Sequence, residues 1–270
     1  MAEPEFRRDL YRGTGFHYER FRVPYPPALV DDLLTRTELT GGGRLLDLAC
    51  GTGQVAFALH RSFEEVWAVD QEQDMLGVGR ETAEALGVRN IRFVDSSVED
   101  FLAPDASFDL VTIGNAYQRL PRQTVAVNVR RWLRPGRWLA LLWSETPWQG
   151  EAPWQLAVSA TLERWMTKTN AHDRVPSGWE QARTDRPDRE VLQRAGLEWC
   201  GSHQFPVTHH WSPETLVGFV HSTSFLSREV LGDLADEFEE DLRRALASGD
   251  PTAHFSQTIT FTYELARRPT

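Results

Sequence analysis

Leu45-Leu46-Asp47-Leu48-Ala49-Cys50-Gly51-Thr52-Gly53-Gln54 decides the fold of this 270-residue chain. Apolar residues run up to an acid and then open into a glycine turn, the way a buried strand delivers backbone amides to a nucleotide. Gly51 and Gly53 remove side chains where a helix N-terminus meets its ligand, and they accept the backbone angles that such a turn requires. The site is therefore expected at the C-terminal edge of a parallel sheet.

Strand signals recur at 65–70, 91–94, 108–113 and 138–143, separated by helix-length segments such as 75–86 and 123–133. Further strands are read at 199–207 and 255–265. Strands alternating with helices predict an α/β, doubly wound, mainly parallel sheet. Around this core, residues 1–40 read as an aromatic cap, broken at Pro24-Tyr25-Pro26-Pro27 and followed by a first helix; 41–143 form the nucleotide-binding core. In 144–189 the strand rhythm stops and Trp148, Trp154, Trp165 and Trp179 appear, which marks a helical lid. Residues 190–270 then complete the sheet within a single domain, with a helix from Ser212 to Phe225 that Ser212 caps and Pro213 opens.

The formal net charge is -10 and Lys168 is the only lysine, so no basic face is available for phosphate contacts and nucleic-acid binding is not expected. Two cysteines, Cys50 and Cys200, are too few for a disulfide framework, and the start of the chain carries charge at Glu5, Arg7 and Arg8 in place of an apolar leader. A reducing cytoplasm is the expected compartment. No stretch is long and apolar enough to span a membrane. The acidic balance suits a neutral or cationic small-molecule partner; a homo-oligomer stays open.

The glycine turn alone leaves two ligands open. Gly51, Gly53 and Ala56, with Asp70 at the end of the next strand, also satisfy the dinucleotide fingerprint. Asp47 favours a different ligand, because an acid just before the turn can receive an ammonium but would repel a pyrophosphate. Asp70 is placed to accept both hydroxyls of an adenosine ribose, or alternatively to cap a helix.

These residues resemble motif I of the class I S-adenosylmethionine (SAM)-dependent methyltransferases. The resemblance runs from about Gly43 to about Trp143 and takes in Asp70, the segment Arg92–Phe101, the strand Phe108–Ile113 and the turn Leu133-Arg134-Pro135-Gly136. It implies a Rossmann-like, seven-stranded sheet with an antiparallel last strand and SAM as cofactor. It places Asp47, Ala49, Gly51 and Gly53 in the cofactor turn, with Ala49 where the family more often has glycine. Asp70 and Gln71 fall at the ribose, Met75 beside the adenine, and Ser97, Val98 and Glu99 at the adenine edge. Asn115 is assigned to the methionine half and Tyr117 to the transferable methyl.

The branch resembled most ends its fourth strand in aromatic-His-Trp, where this chain has Tyr117-Gln118-Arg119. In that branch an N-terminal segment matching Tyr11–Tyr18 folds over the cofactor, and its layout resembles antibiotic N-methyltransferases of the lincosamide type. Tyr11 and Tyr18 are seven apart and so are expected on one helical face, orienting an acceptor. His17 and His210 are the candidate bases; His203, His209 and His210 lack metal-ligand spacing, so no metal is expected. The expected reaction is methyl transfer to nitrogen of a small natural product, with oxygen and a histidine base as the alternative. A nicotinamide-dependent oxidoreductase and a SAM-binding protein that does not methylate are the competing classes.

Overall fold

The computed structural model describes residues 9–39, 41–175, 179–249 and 255–270. In chain order the elements are α1 (Gly15–Phe21), α2 (Pro27–Thr37), β1 (Arg44–Leu48), α3 (Gln54–Leu59), β2 (Glu65–Asp70), α4 (Gln73–Leu86), β3 (Ile91–Asp95), β4 (Phe108–Gly114), α5 (Arg122–Trp132) and β5 (Leu133–Ser144). There follow α6 (Pro153–Thr169), α7 (Trp179–Asp185), α8 (Asp188–Arg194), β6 (Glu198–Trp211), α9 (Pro213–His221), α10 (Arg228–Leu231), α11 (Ala235–Gly249) and β7 (Phe255–Arg267).

The strands form one seven-stranded sheet in the order β3-β2-β1-β4-β5-β7-β6. β3, β2, β1, β4 and β5 pair in parallel, and β7 runs antiparallel to both β5 and β6. Sequence explains which strands are central. β1 and β4 are near-continuous apolar runs buried on both faces, whereas β6 alternates exposed and half-buried residues as an edge strand does. The sheet divides two apolar layers. One gathers side chains from α2, α3, α6, α9 and α11, and the other gathers them from α5 and α8.

Three local expectations change. The turn at 133–136 lies inside β5, where pairing with β4 breaks register between Phe108 and Leu110. The segment expected as a helical lid is helical over α6, but in 144–175 Trp154 and Trp165 are buried in the core, α6 packs along α11, and Trp148 stands edge-on to Phe219 and Phe225. Residues 176–178 and the side chain of Trp179, also assigned to the lid, lie outside what the structure describes. Tyr11 sits in the turn before α1, so it shares no helix with Tyr18, yet the rings meet edge-on with centroids 6.3 Å apart. α9 begins as the sequence predicts, with Pro213 first and the Ser212 hydroxyl accepting from the Thr215 amide at 3.1 Å. No helix among the described residues is long and apolar enough to cross a membrane.

Candidate active site

The parallel strands end together at one edge of the sheet, and the glycine turn rises from the central strand there. Gly51 and Gly53 have φ of +58° and +93°, the left-handed conformation that favours glycine. Ala49 has φ +51° and so adopts the same conformation with a methyl group attached. Asp70, at the end of β2, braces the turn: its carboxylate accepts the Gly51 amide at 2.7 Å and the Glu72 amide at 2.9 Å. Burial raises its pKa above the usual carboxylate range against the pull of those amides.

Asp47 lies deeper. It is 1% exposed; one oxygen accepts the Ala56 amide in the first turn of α3 and the other accepts the Thr112 hydroxyl of β4, at 3.1 and 2.8 Å. Burial pushes its pKa up to about 7, opposed by those two bonds. The acid expected under an ammonium is therefore also the tie between β1, β4 and α3.

The cap closes on the turn. A Cβ built on Gly51 would meet the Tyr18 ring at 3.5 Å, so that phenol lies directly over the loop. Burial raises the Tyr18 pKa. α1 is seated at both ends: the Gly15 amide donates to Asp74 of α4, and Phe21 occupies the space left by the absent side chain of Gly218 on α9. Arg22 lies between the rings of Tyr18 and Phe219 and donates to the Ser222 hydroxyl and carbonyl. The Tyr11 amide donates to Glu72, whose pKa burial raises to about 7.

At the end of β4, Asn115 adopts φ +53°, accepts the Ser144 amide and donates to the Tyr25 hydroxyl at 3.3 Å. Met75 is buried on α4, one turn after Asp70, and Gln71 is exposed beside that acid. Val98 is buried, Glu99 is exposed, and the Ser97 hydroxyl donates to the Asp100 carboxylate while accepting its amide. The turn, Asp70, the tyrosine pair and Asn115 are thus brought to one sheet edge. Two residues are placed otherwise than expected. Tyr117 is 4% exposed in the apolar layer under α5, and its hydroxyl donates to the Arg122 carbonyl, because its ring turns into the core where β4 ends. His210 is exposed on the outermost strand, with β7, β5 and β4 between it and β1.

Sequence reasoning passed over Tyr25, Arg22 and Arg119. A proline-flanked tyrosine and two arginines among aromatics were the available signals. His17 does reach the cap, but against His221, with ring centroids 5.2 Å apart.

The donor set suits SAM. The turn offers a side-chain-free backbone and a helix N-terminus, Asp70 retains a second lone pair on each oxygen for ribose hydroxyls, and the Thr52 hydroxyl in the turn is buried with no partner among the described residues.

A family described as a methyltransferase domain matches residues 45–136. An uncharacterised methyltransferase of Mycobacterium bovis is 34% identical over 226 residues, covering 81% of this chain and 79% of the relative. The chain belongs to the class I SAM-dependent methyltransferases. A ubiquinone/menaquinone biosynthesis C-methyltransferase of Brucella anthropi is 39% identical over 110 residues, 38% of this methyltransferase and 42% of that protein. The methyltransferase spans about half the length of the demethylmenaquinone and ubiquinone/menaquinone methyltransferases it matches. Among solved structures, the YcgJ protein of Bacillus subtilis superposes with a TM-score of 0.55 at 17% identity, covering 89% of this chain and 98% of that one, a likeness of fold.

Proposed function

We propose that this methyltransferase moves the methyl group of SAM to a nitrogen of a small natural product. His17 carries the reading. It is the histidine beside the aromatic cap, and burial, with His221 and Arg228 adding to it and Glu239 opposing, lowers its pKa to about 4. An imidazole that weakly basic is a poor acceptor for a hydroxyl proton, whereas a neutral amine brings its own lone pair.

When bound, SAM would supply an electrophilic sulfonium methyl, which passes in line to the acceptor's lone pair as the sulfur leaves in S-adenosylhomocysteine. The chain supplies position. Asp70, with Gln71 beside it, holds the ribose; Met75, Ser97, Val98 and Glu99 enclose the adenine; Asp47, Ala49, Gly51 and Gly53 shape the turn under the methionine half, which Asn115 bounds. Tyr11 and Tyr18 orient the acceptor and exclude water. Alignment of this kind is worth about 7–11 kcal/mol in favourable cases, more than the roughly 10²–10⁴-fold that a general base contributes.

Carbon is the second reading, favoured by the C-methyltransferase relative, 39% identical over 110 residues. Incubation with SAM and a panel of amines, phenols and hydroquinones tests both. Expected is S-adenosylhomocysteine formation together with an N-methyl resonance on the product. An acceptor methylated on carbon or oxygen while its amine counterparts stay unmodified would overturn the nitrogen reading.

A further inference from the structure

The turn after β4 carries a cation that the fold does not use. Arg119 ends the short helical turn Tyr117–Arg119, and its guanidinium carbon lies 5.0 Å from the centre of the Tyr11 ring. Its Nη1 is buried and has no hydrogen-bond partner among the described residues. The residue is half-buried and its charge is fixed, so one guanidinium nitrogen is held out of water with no acceptor opposite it. Neighbouring arginines are engaged: Arg22 donates to Ser222, and Arg122 donates to Asp188 and to the carbonyls of Arg186 and Ala182.

Contacts order the layers outward from the glycine turn: Gly51, then the Tyr18 ring, then the Tyr11 ring edge-on to it, then Arg119. The guanidinium therefore lies against the aromatic pair that covers the cofactor loop.

We propose that Arg119 binds the methyl acceptor, its Nη1 taking an anionic oxygen, carboxylate or phenolate, carried by that molecule. The proposal rests on the methyltransferase reading of the site and is independent of which atom is methylated. A guanidinium offers a planar fork that matches a carboxylate through two parallel bonds and a phenolate oxygen through one. The Tyr11 ring against it holds the plane of that fork. The competing partner is the α-carboxylate of SAM itself, and the experiment separates the two.

The full chain, saturated with S-adenosylhomocysteine, is titrated by calorimetry at mildly alkaline pH with benzoate, para-nitrophenolate and the neutral isostere benzamide. At least one anion is expected to bind about tenfold more tightly than benzamide, the strength of a charge-assisted hydrogen bond. Which anion is preferred identifies the oxygen as carboxylate or phenolate. Arg119→Gln should abolish the preference and Arg119→Lys should keep part of it, with S-adenosylhomocysteine affinity unchanged in both. No preference in the wild type, or a preference that survives Arg119→Gln, overturns the proposal. A tenfold or greater loss of S-adenosylhomocysteine affinity in Arg119→Gln also overturns it, by assigning the guanidinium to the cofactor. Failure of the wild type to bind S-adenosylhomocysteine at all would instead remove the methyltransferase reading and this proposal with it.

Discussion

Ala49 holds a left-handed backbone, φ +51°, in the turn that defines the site. Such a conformation costs a residue with a Cβ about 1–2 kcal/mol, partly offset by the lower unfolded-state entropy of alanine relative to glycine. Ala49→Gly is therefore expected to stabilise the chain by up to about 1 kcal/mol, read as a higher urea midpoint at unchanged slope. A lower midpoint would show that the methyl group contributes packing that outweighs its strain. Asp70 has the opposite character, since two amides already depend on it. Asp70→Ala should weaken S-adenosylhomocysteine roughly tenfold to a hundredfold by losing charge-assisted bonds. Calorimetry on a folded variant with undiminished affinity would dismiss the ribose role. At this scale the sequence was legible where local covalent pattern sets the backbone, as at Gly51 and Gly53. It was not legible where direction decides: spacing puts Tyr117 near the end of β4, but only packing shows that its ring enters the core. The charge of Arg119 was visible as a letter, while the want of a hydrogen-bond partner for its Nη1 among the described residues is a tertiary fact.

Among the elements, α1 depends on one missing side chain. A Cβ at Gly218 would collide with the Phe21 ring, and the interior of α9 leaves it nowhere to go. Gly218→Ala should improve the helix propensity of α9 by about 1 kcal/mol and yet unseat α1. Hydrogen exchange is expected to accelerate over residues 15–21 while β1 and β4 keep their protection. Unchanged exchange in α1 would mean that Phe21 repacks without loss. The strands and α4, α5 and α9 could be read beforehand because each carries its own apolar period, and α9 its Ser212 cap as well. α11 was missed, although Phe238, Leu242 and Leu246 recur every four residues and are buried. Its polar remainder, with acids at Asp236, Glu237, Glu239, Glu240 and Asp241, obscured that stripe. The tryptophan-rich stretch misled for the converse reason: large aromatics looked like a cover over a ligand, but two of them complete the core that α6 shares with α11.

For the molecule as a whole, Asp47 links the two central strands to α3, and its titration acts on global stability. Its folded pKa, about 7, stands above the unfolded value of 3.8. The stabilisation associated with its proton is thus fully present below the unfolded value and is lost as pH rises through about 7. Asp47→Asn has no such proton to lose, so its melting temperature should gain on the wild type between about pH 4 and about pH 7 and hold a constant difference above that. A difference between the two proteins that stays constant throughout would exclude this titration. The sheet order was implied by the alternation of strands and helices and by the resemblance at the glycine turn. The seating of the cap was not, because its partners come from distant parts of the chain. Arg22 and Ser222, which join α1 to the end of α9, are 200 residues apart. During synthesis Arg22 thus leaves the ribosome 200 residues ahead of Ser222. Loop closure over such a span makes its docking a late event. A chain stalled after β5 would expose a finished glycine turn with the cap tied only to Glu72 and to Asp74 of α4, so the nascent core could grip a cofactor before it could fully shelter one.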